Sequence, residues 1–474
     1  SLDLKIYNLE SEKSNSVDFS KNTNDYYYIP RLKYSPFSNK LYIQSLNRLQ
    51  NKLILSTYDL DSKIIKTILE EKNDTYVDIQ QKLFFLENDN FLWISDRSGF
   101  DHIYLVQNEG KNLKQITRGN WDVAKLLGLN NTKIYYSSTE DNSTERVIYS
   151  ISLNGKNKKV VSPQTGFNGA SFTSNYKYFI HTFEDRNTPL IYSLRDSKSG
   201  KLVREILNNN ELLKKLKPFN LSNKIFSNIN LNGEELNMWM IKPPDFNPKK
   251  NYPLLIYQYS GPGSQEVENR WNSNRDLWHQ MLAQKGYIIA CLDGRGTGFK
   301  GKKFKKVTYG QLAKYETEDQ ISFAKHLSKL PYINKDRIGI WGWSYGGLIS
   351  TNCILKGNDI FSLAIAVAPV TNWRFYDTIY TERFMGLPKD NPEGYDLNSP
   401  LNFAHLLEGD YLLIHGSADD NVHLQNTMRM VEELIQEDKQ FEWMIYPDKN
   451  HGIYGGNTSI HLYNKMTNFI EKKL

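Results

Sequence analysis

A doubly wound, mostly parallel α/β sheet preceded by a partial all-β propeller is the architecture that the sequence predicts. Three observations carry this reading. Short alternating apolar runs recur through residues 1–205, separated by turn residues. Beyond residue 224 the texture changes to apolar strands ending in glycine, alternating with helical stretches. A chain of 474 residues is also longer than one core usually sustains, so two or three domains are expected.

In the first part, the runs are LYIQSLNRLQNKLILSTYDLDS (41–62), LWISDRSGFDHIYLVQNEG (92–110), IYYSSTEDNSTERVIYSISLNG (134–155) and FIHTFEDRNTPLIYSLRDSKSG (179–200). Each is an apolar strand, a polar loop and a second strand ending in a turn. They recur every ~40–50 residues, the period of a propeller blade, so about four blades are readable. A series of unrelated hairpins is the alternative. Aromatics at 13%, with 30 tyrosines, favour strands, because flat rings pack well on a pleated surface. LNNNELLKKLKPFNLSNKI (207–225) reads as a connector. The division is therefore expected as 1–215 for the partial propeller with its connector, and 216–474 for the α/β-hydrolase domain.

The second part supplies the strands PLLIYQYSG (253–261), YIIACLDGRG (287–296), RIGIWGWSYGG (337–347), LAIAVAPV (363–370) and DYLLIHGSADD (410–420). Between them lie helical stretches such as YETEDQISFAKHLSKL (315–330) and LQNTMRMVEELIQED (424–438). Strands alternating with helices imply parallel pairing with helices on both faces.

Composition is globular, with 39% hydrophobic and 24% charged residues. The net charge of +6 is spread along the chain, and there is no nucleic-acid motif. KGKKFKK (300–306) is the densest basic run and reads as a solvated loop. Cys291 and Cys353 sit in apolar surroundings and read as small core residues, not as a disulfide framework or metal site. No stretch is long and apolar enough to span a membrane. The chain opens SLDLKIYN without a methionine, which reads as a fragment or processed product.

Chemistry concentrates in WGWSYGG (341–347). IGIW reads as a buried strand, GWSYGG as a sharp turn and LISTNCILK as the start of a helix. Such a strand–turn–helix lifts a serine hydroxyl clear of the sheet, the arrangement of a nucleophile elbow. A hydroxyl is a weak nucleophile and needs an oriented base. Asp419 follows the strand YLLIHGSA, and His451 follows FEWMIYPDKN. The order Ser344, Asp419, His451 is that of the α/β-hydrolases. Asp420 is the neighbouring alternative for the carboxylate, and His415 and His423 flank the same loop. In YQYSGPGSQ (257–265) a strand ends before a Gly-Pro turn, and the Tyr259 phenol is a candidate oxyanion donor beside the backbone N–H of Tyr345.

Several stretches together resemble the dipeptidyl peptidase IV branch of the prolyl oligopeptidase family of serine peptidases. They are KPPDFNPKKNYPLLIYQYSGPGSQ (242–265), LDGRGTGFKG (292–301), GIWGWSYGG (339–347), AVAPVTNWRFYDTIYTERFMGLP (366–388), LLIHGSADDNVH (412–423) and NHGI (450–453). DYYYIPRLKYSP (25–36) is similar to a propeller segment of the same branch. The resemblance implies that Ser344, Asp419 and His451 form a triad, with Tyr259 and Tyr345 as the side-chain and backbone oxyanion donors. It implies a pocket for the residue before the cut lined by Tyr345, Val370, Trp373, Tyr376, Tyr380 and Val422. Asn421 would reach the carbonyl of the substrate's second residue. A flat slot walled by aromatics suits a proline ring, and alanine fits it while filling it poorly. Tyr376 and Tyr380, four apart, read otherwise as one helical face of core aromatics.

What the resemblance implies for activity is removal of X-Pro or X-Ala dipeptides through an acyl-enzyme, with no metal or cofactor. The partners implied are peptides with Pro or Ala second, and a homodimer partly through NTSIHLYNKMTNFIEKKL (457–474). An exported, in bacteria periplasmic, location follows from the same branch. An endopeptidase or acyl-peptide hydrolase of this family, and a non-catalytic half-propeller scaffold, are the rival readings. One departure stands out: the branch carries adjacent propeller glutamates that clamp the substrate ammonium. Glu70–Glu71 and Glu432–Glu433 lie in the wrong contexts, so the clamp is expected upstream of Ser1, with reduced activity for this chain.

Overall fold

The computed structural model describes residues 4–17, 27–130, 132–163, 165–271 and 273–474. Asp25 and Tyr26 of the family-like stretch 25–36 lie outside the described residues. Four four-stranded antiparallel sheets follow one another through the first part. Their central hairpins are Lys40–Leu46 with Lys52–Asp59, Phe91–Ser95 with His102–Gln107, Lys133–Ser138 with Val147–Ser152, and Tyr178–Asp185 with Thr188–Asp196. The packing follows from the two-residue period of a strand. In the second sheet, Phe91, Trp93, Tyr104 and Val106 pack with Leu46, Leu53 and Leu55 of the first. Leu92, Ile103 and Leu105 point the other way, onto Ile134, Tyr136 and Val147 of the third. The second hairpin is thus apolar on both faces and stacks between its neighbours as a propeller blade does.

The second part is one eight-stranded sheet, whose strands are here numbered along the chain. They are β1 (Lys224–Leu231), β2 (Glu234–Ile241), β3 (Tyr252–Tyr257), β4 (Ile288–Asp293), β5 (Ile333–Trp343), β6 (Leu363–Val367), β7 (Asp410–Gly416) and β8 (Glu442–Tyr446). Their spatial order is β1-β2-β4-β3-β5-β6-β7-β8. The β1–β2 and β2–β4 pairs are antiparallel, and all the others are parallel. The helices used below are α1 (Ser273–Gln284), α2 (Gly301–Lys306), α3 (Lys314–Leu327), α4 (Tyr345–Lys356), α5 (Thr378–Met385), α6 (Gln425–Gln436) and α7 (Thr458–Lys473). Leu254 and Ile256 of β3 face Phe323 of α3 and Leu348 of α4. Leu255 and Tyr257 face the opposite side, with Leu282 of α1 and Phe469 of α7. The continuous apolar runs of these strands reflect burial on both faces. The fold is an α/β hydrolase preceded by a partial propeller. Both cysteines are buried and free.

The basic run 300–306 departs from its expected solvated-loop character. Most of it is helix α2, wedged against the propeller. Lys305 Nζ lies 2.8 Å from Asp78 and 3.6 Å from Asp101. The buried Lys306 Nζ meets Asp96 at 2.5 Å and the Tyr76 carbonyl at 2.7 Å. Its carboxylate partners lie more than two hundred residues upstream, where no local pattern reveals them.

Candidate active site

Four loops leave the carboxyl ends of parallel strands on one edge of the sheet, where α/β folds build their sites. They follow β3, β5, β7 and β8, and they carry Tyr259, Ser344, Asp419 and His451.

Ser344 caps α4 with φ 61° and ψ −117°. A non-glycine residue held there stores about 1–3 kcal/mol of backbone strain. Its neighbours hold it: Ser344 N–H donates to the Val367 carbonyl at 2.8 Å, and Leu348 N–H donates to the Ser344 carbonyl at 3.1 Å. The flanking glycines make the turn possible by close approach. A Cβ on Gly342 would lie 2.4 Å from the Gly346 carbonyl oxygen, and one on Gly346 would lie 2.5 Å from that of Gln258. The second approach sets the start of α4 against the end of β3. Gln258 fastens it, donating from Nε2 to the Gly346 carbonyl at 2.7 Å and to Ser350 Oγ at 3.0 Å.

The same approach sets the Tyr259 phenol near the serine side chain. Burial, and then the charge of Glu266, push this phenol upward in pKa, so it stays protonated and able to donate.

Asp419, not the exposed Asp420, meets His451: Nδ1 lies 2.7 Å from Oδ2. Its side chain is fully buried, whereas that of His451 is 22% exposed. Oδ1 accepts the backbone N–H of Asn421 at 3.0 Å and of Val422 at 2.9 Å. His415 Nε2 lies 3.2 Å from Oδ2 and 2.8 Å from the Val422 carbonyl. With two oxygens in reach, Nε2 of His415 is the protonated nitrogen, while Nδ1 faces Thr427 Oγ1 at 2.7 Å. Burial pushes the Asp419 carboxyl up. The hydrogen bonds from His415 and His451 outweigh it and hold the group well below the usual carboxylate range. An ionised Asp419 fixes the proton of His451 on Nδ1 and leaves Nε2 able to accept one. His423 is exposed and takes no part in this cluster.

Beside the serine lies an aromatic cluster. Trp373 packs 5.5 Å from Tyr345, 5.8 Å from Tyr376 and 5.8 Å from Tyr380, measured between ring centres. Tyr376 and Tyr380 meet edge-on at 5.2 Å, and the buried Val370 and Val422 belong to the same cluster. Burial raises both phenols, Tyr376 to about 12 and Tyr380 well above the ordinary value, so both are neutral. The exposed Asn421 accepts the Tyr376 hydroxyl on Oδ1 at 2.6 Å, leaving its Nδ2 to donate.

Sequence reasoning passed over two buried groups. His415 reads as the end of a strand, yet it is the second imidazole on Asp419. Glu316, within a charged run that looks like the wet face of a helix, accepts the Tyr345 hydroxyl at 2.6 Å. Burial pushes its carboxyl up to about 8, which makes it a neutral anchor for the Tyr345 ring. Its spacing carries no signal of this. Among the described residues, no three His, Cys, Asp or Glu side chains gather as a metal site.

Residues 273–474 match the model of the prolyl oligopeptidase family, and residues 1–190 match that of the dipeptidyl peptidase IV (DPP IV) N-terminal region. The crystal structure of Porphyromonas gingivalis dipeptidyl peptidase 4 is similar with a TM-score of 0.96 and 43% identity, covering 100% of this chain and 67% of that one. A curated relative named "Probable dipeptidyl-aminopeptidase B", from Phaeosphaeria nodorum, is 33% identical over 98% of this chain and 53% of its own length. The human protein named "Prolyl endopeptidase FAP" is 35% identical over 91% of this chain and 59% of its own. The chain thus spans about half the length of the curated relatives it matches.

Proposed function

Because the chain belongs to the dipeptidyl peptidase IV branch of the prolyl oligopeptidase family, we propose that the protein is a serine exopeptidase releasing X-Pro or X-Ala dipeptides from peptide N-termini. Ser344 Oγ attacks the scissile carbonyl while His451 Nε2 takes its proton. The Tyr259 hydroxyl and the Tyr345 N–H stabilise the oxyanion. The imidazolium, held by Asp419, then protonates the leaving amine, and water hydrolyses the acyl-enzyme by the same groups in reverse. Tyr345, Val370, Trp373, Tyr376, Tyr380 and Val422 form the slot for a proline ring. Asn421 Nδ2 donates to the carbonyl of the substrate's second residue. The observation that carries the reading is the 2.7 Å contact between His451 and a buried Asp419, on the same strand edge as the strained Ser344 elbow.

Recognition of the free amine is assigned to none of the glutamate pairs read from the sequence. Glu71 is engaged by Trp93 Nε1 at 2.9 Å and by Arg97, and Glu70 lies 3.6 Å from Lys52. Glu432 and Glu433 bond within α6, to Gln436 and Arg429. Cleavage of blocked substrates is the second reading, favoured by the likeness to a protein named as an endopeptidase. An exported location is proposed from the branch alone. Among the described residues, no helix is long and apolar enough to cross a membrane. A homodimer is proposed through the edge strand β8 with α6 and α7, where Met428, Ile435, Trp443 and Ile460 are exposed.

The test is labelling by a fluorophosphonate, combined with hydrolysis of Gly-Pro chromogenic substrates, free and acetylated. Ser344→Ala should abolish labelling while the circular dichroism spectrum is unchanged. Persistent labelling in that variant would remove Ser344 as the nucleophile, and preference for the acetylated substrate would favour the second reading.

A further inference from the structure

The turn between the central strands of the first blade reaches across the domain boundary to α5. Arg48 grips Glu382 with two prongs of its guanidinium, Nε donating to Oε2 and Nη2 to Oε1, both at 2.9 Å. Gln50, fully buried, donates from Nε2 to the Ile379 carbonyl at 2.6 Å and accepts Arg383 Nε on Oε1 at 2.8 Å. The turn itself is stiff. Asn47 Oδ1 accepts the backbone N–H of Asn51 and of Lys52, both at 3.1 Å, and Gln50 is held at φ 55°. From the loop that leaves the first blade after its last strand, Ile65–Lys72, Tyr76 packs edge-on against Phe384 at 4.9 Å.

Helix α5 has eight residues, too few to hold their own place without outside contacts. It carries Tyr380, whose ring lies 4.8 Å from Phe384 and stacks on Trp373. Whatever fixes α5 therefore fixes the outer wall of the aromatic slot.

We propose that Arg48 and Gln50 are positioning residues that set the width of this slot, so that the first blade takes part in selecting proline. The inference rests on the peptidase reading above. Glu382 is only 8% exposed on its side chain, so without Arg48 its carboxylate is left buried and unpaired. The helix must then move outward to find water, carrying Tyr380 with it. A proline ring needs both walls of a flat slot, whereas alanine depends on them less. Domain docking does not depend on this brace. Lys305 with Asp78, Lys306 with Asp96, Arg146 with Gln265 and Arg270 with Glu184 join the two parts without touching α5.

The experiment compares the unmodified protein with Arg48→Ala, Arg48→Lys and the charge-exchange pair Arg48→Glu with Glu382→Arg. Three quantities are read: amide hydrogen exchange in residues 378–385, kcat and KM on Gly-Pro and Gly-Ala substrates, and the rate of fluorophosphonate labelling. For Arg48→Ala, exchange in 378–385 should quicken about tenfold. KM for Gly-Pro should rise about tenfold with a smaller change for Gly-Ala, while labelling stays within about twofold. Arg48→Lys should fall between, having charge without the planar fork. The exchange pair should recover much of the loss. Unchanged exchange in 378–385, or faster exchange with an unaltered Pro-to-Ala ratio, would overturn the proposal. Failure of the unmodified protein to label would instead remove the peptidase reading, and the exchange arm would still decide whether the turn holds α5.

Discussion

Asp419 accepts two backbone N–H groups on one oxygen and two imidazoles on the other. A carboxylate held by four donors cannot swing, so the imidazole of His451 is aimed as well as charge-matched. The sequence carried the choice between Asp419 and Asp420 only as alternatives. The structure separates them by burial, because one side chain turns inward to the imidazoles and the other to water. Tyr259 is the second residue whose role depends on geometry. Its phenol lies near the serine side chain, where negative charge would develop on an attacked carbonyl. Tyr259→Phe should lower kcat by roughly 10²–10³, with a much smaller effect on KM, since such a donor acts mainly in the transition state. Steady-state kinetics on Gly-Pro substrates provide the check. An equal loss in the binding of a non-reacting product dipeptide would make Tyr259 a packing residue.

The elbow joins β5 to α4, and its shape is a matter of backbone against backbone. Gly346 meets the Gln258 carbonyl where any Cβ would lie 2.5 Å from the oxygen. Neither partner is a flexible side chain that could give way. In Gly346→Ala, α4 must retreat from β3, which parts Ser344 from Tyr259. Overpacking of this kind costs about 1–3 kcal/mol. Thermal unfolding should occur at lower temperature, and the fluorophosphonate labelling rate should fall. A variant matching the parent in both measurements would show that the approach can relax. Elements differ in how legible they are. The central hairpins of the blades are apolar on both faces and stand out in the sequence. Outer strands such as Leu202–Leu207 are exposed along their whole length and carry no matching alternation. The hairpin of β1 and β2, which opens the large sheet, lies between the connector and the first strand read from the sequence at 253, and its alternation is not legible there.

Across the whole molecule, the propeller and the α/β domain are joined by long-range polar contacts, several of them between charged side chains. The basic run of α2 supplies two of the lysines, and the first blade supplies the arginine that grips α5. On the far edge of the sheet, Trp443 of β8 is 45% exposed, and Lys465 of α7 lies 2.5 Å from Glu442 of the same strand. An apolar edge of this kind suits a second copy of the chain, provided the contact buries about 800 Å² per partner. The unmodified protein should sediment as a dimer at micromolar concentration, and Trp443→Glu should shift it toward monomer. Sedimentation of the unmodified protein as a monomer would remove the dimer proposal.

The central strands of the blades, the alternation of parallel strands and helices from β3 onward, the serine elbow and the Ser–Asp–His succession are set by local pattern alone. Apolar period, glycine placement and turn chemistry act over a few residues, so a linear reading can recover them. The partners of buried charges were not recoverable in this way. His415 on Asp419, Glu316 under Tyr345, Lys306 on Asp96 and Arg48 on Glu382 all look like ordinary polar positions in the chain. Three of these four pairs span tens to hundreds of residues, and the fourth closes across a strand end. A buried charge is stabilised by whichever opposite group the fold brings beside it, and that neighbour exists only once the chain has folded.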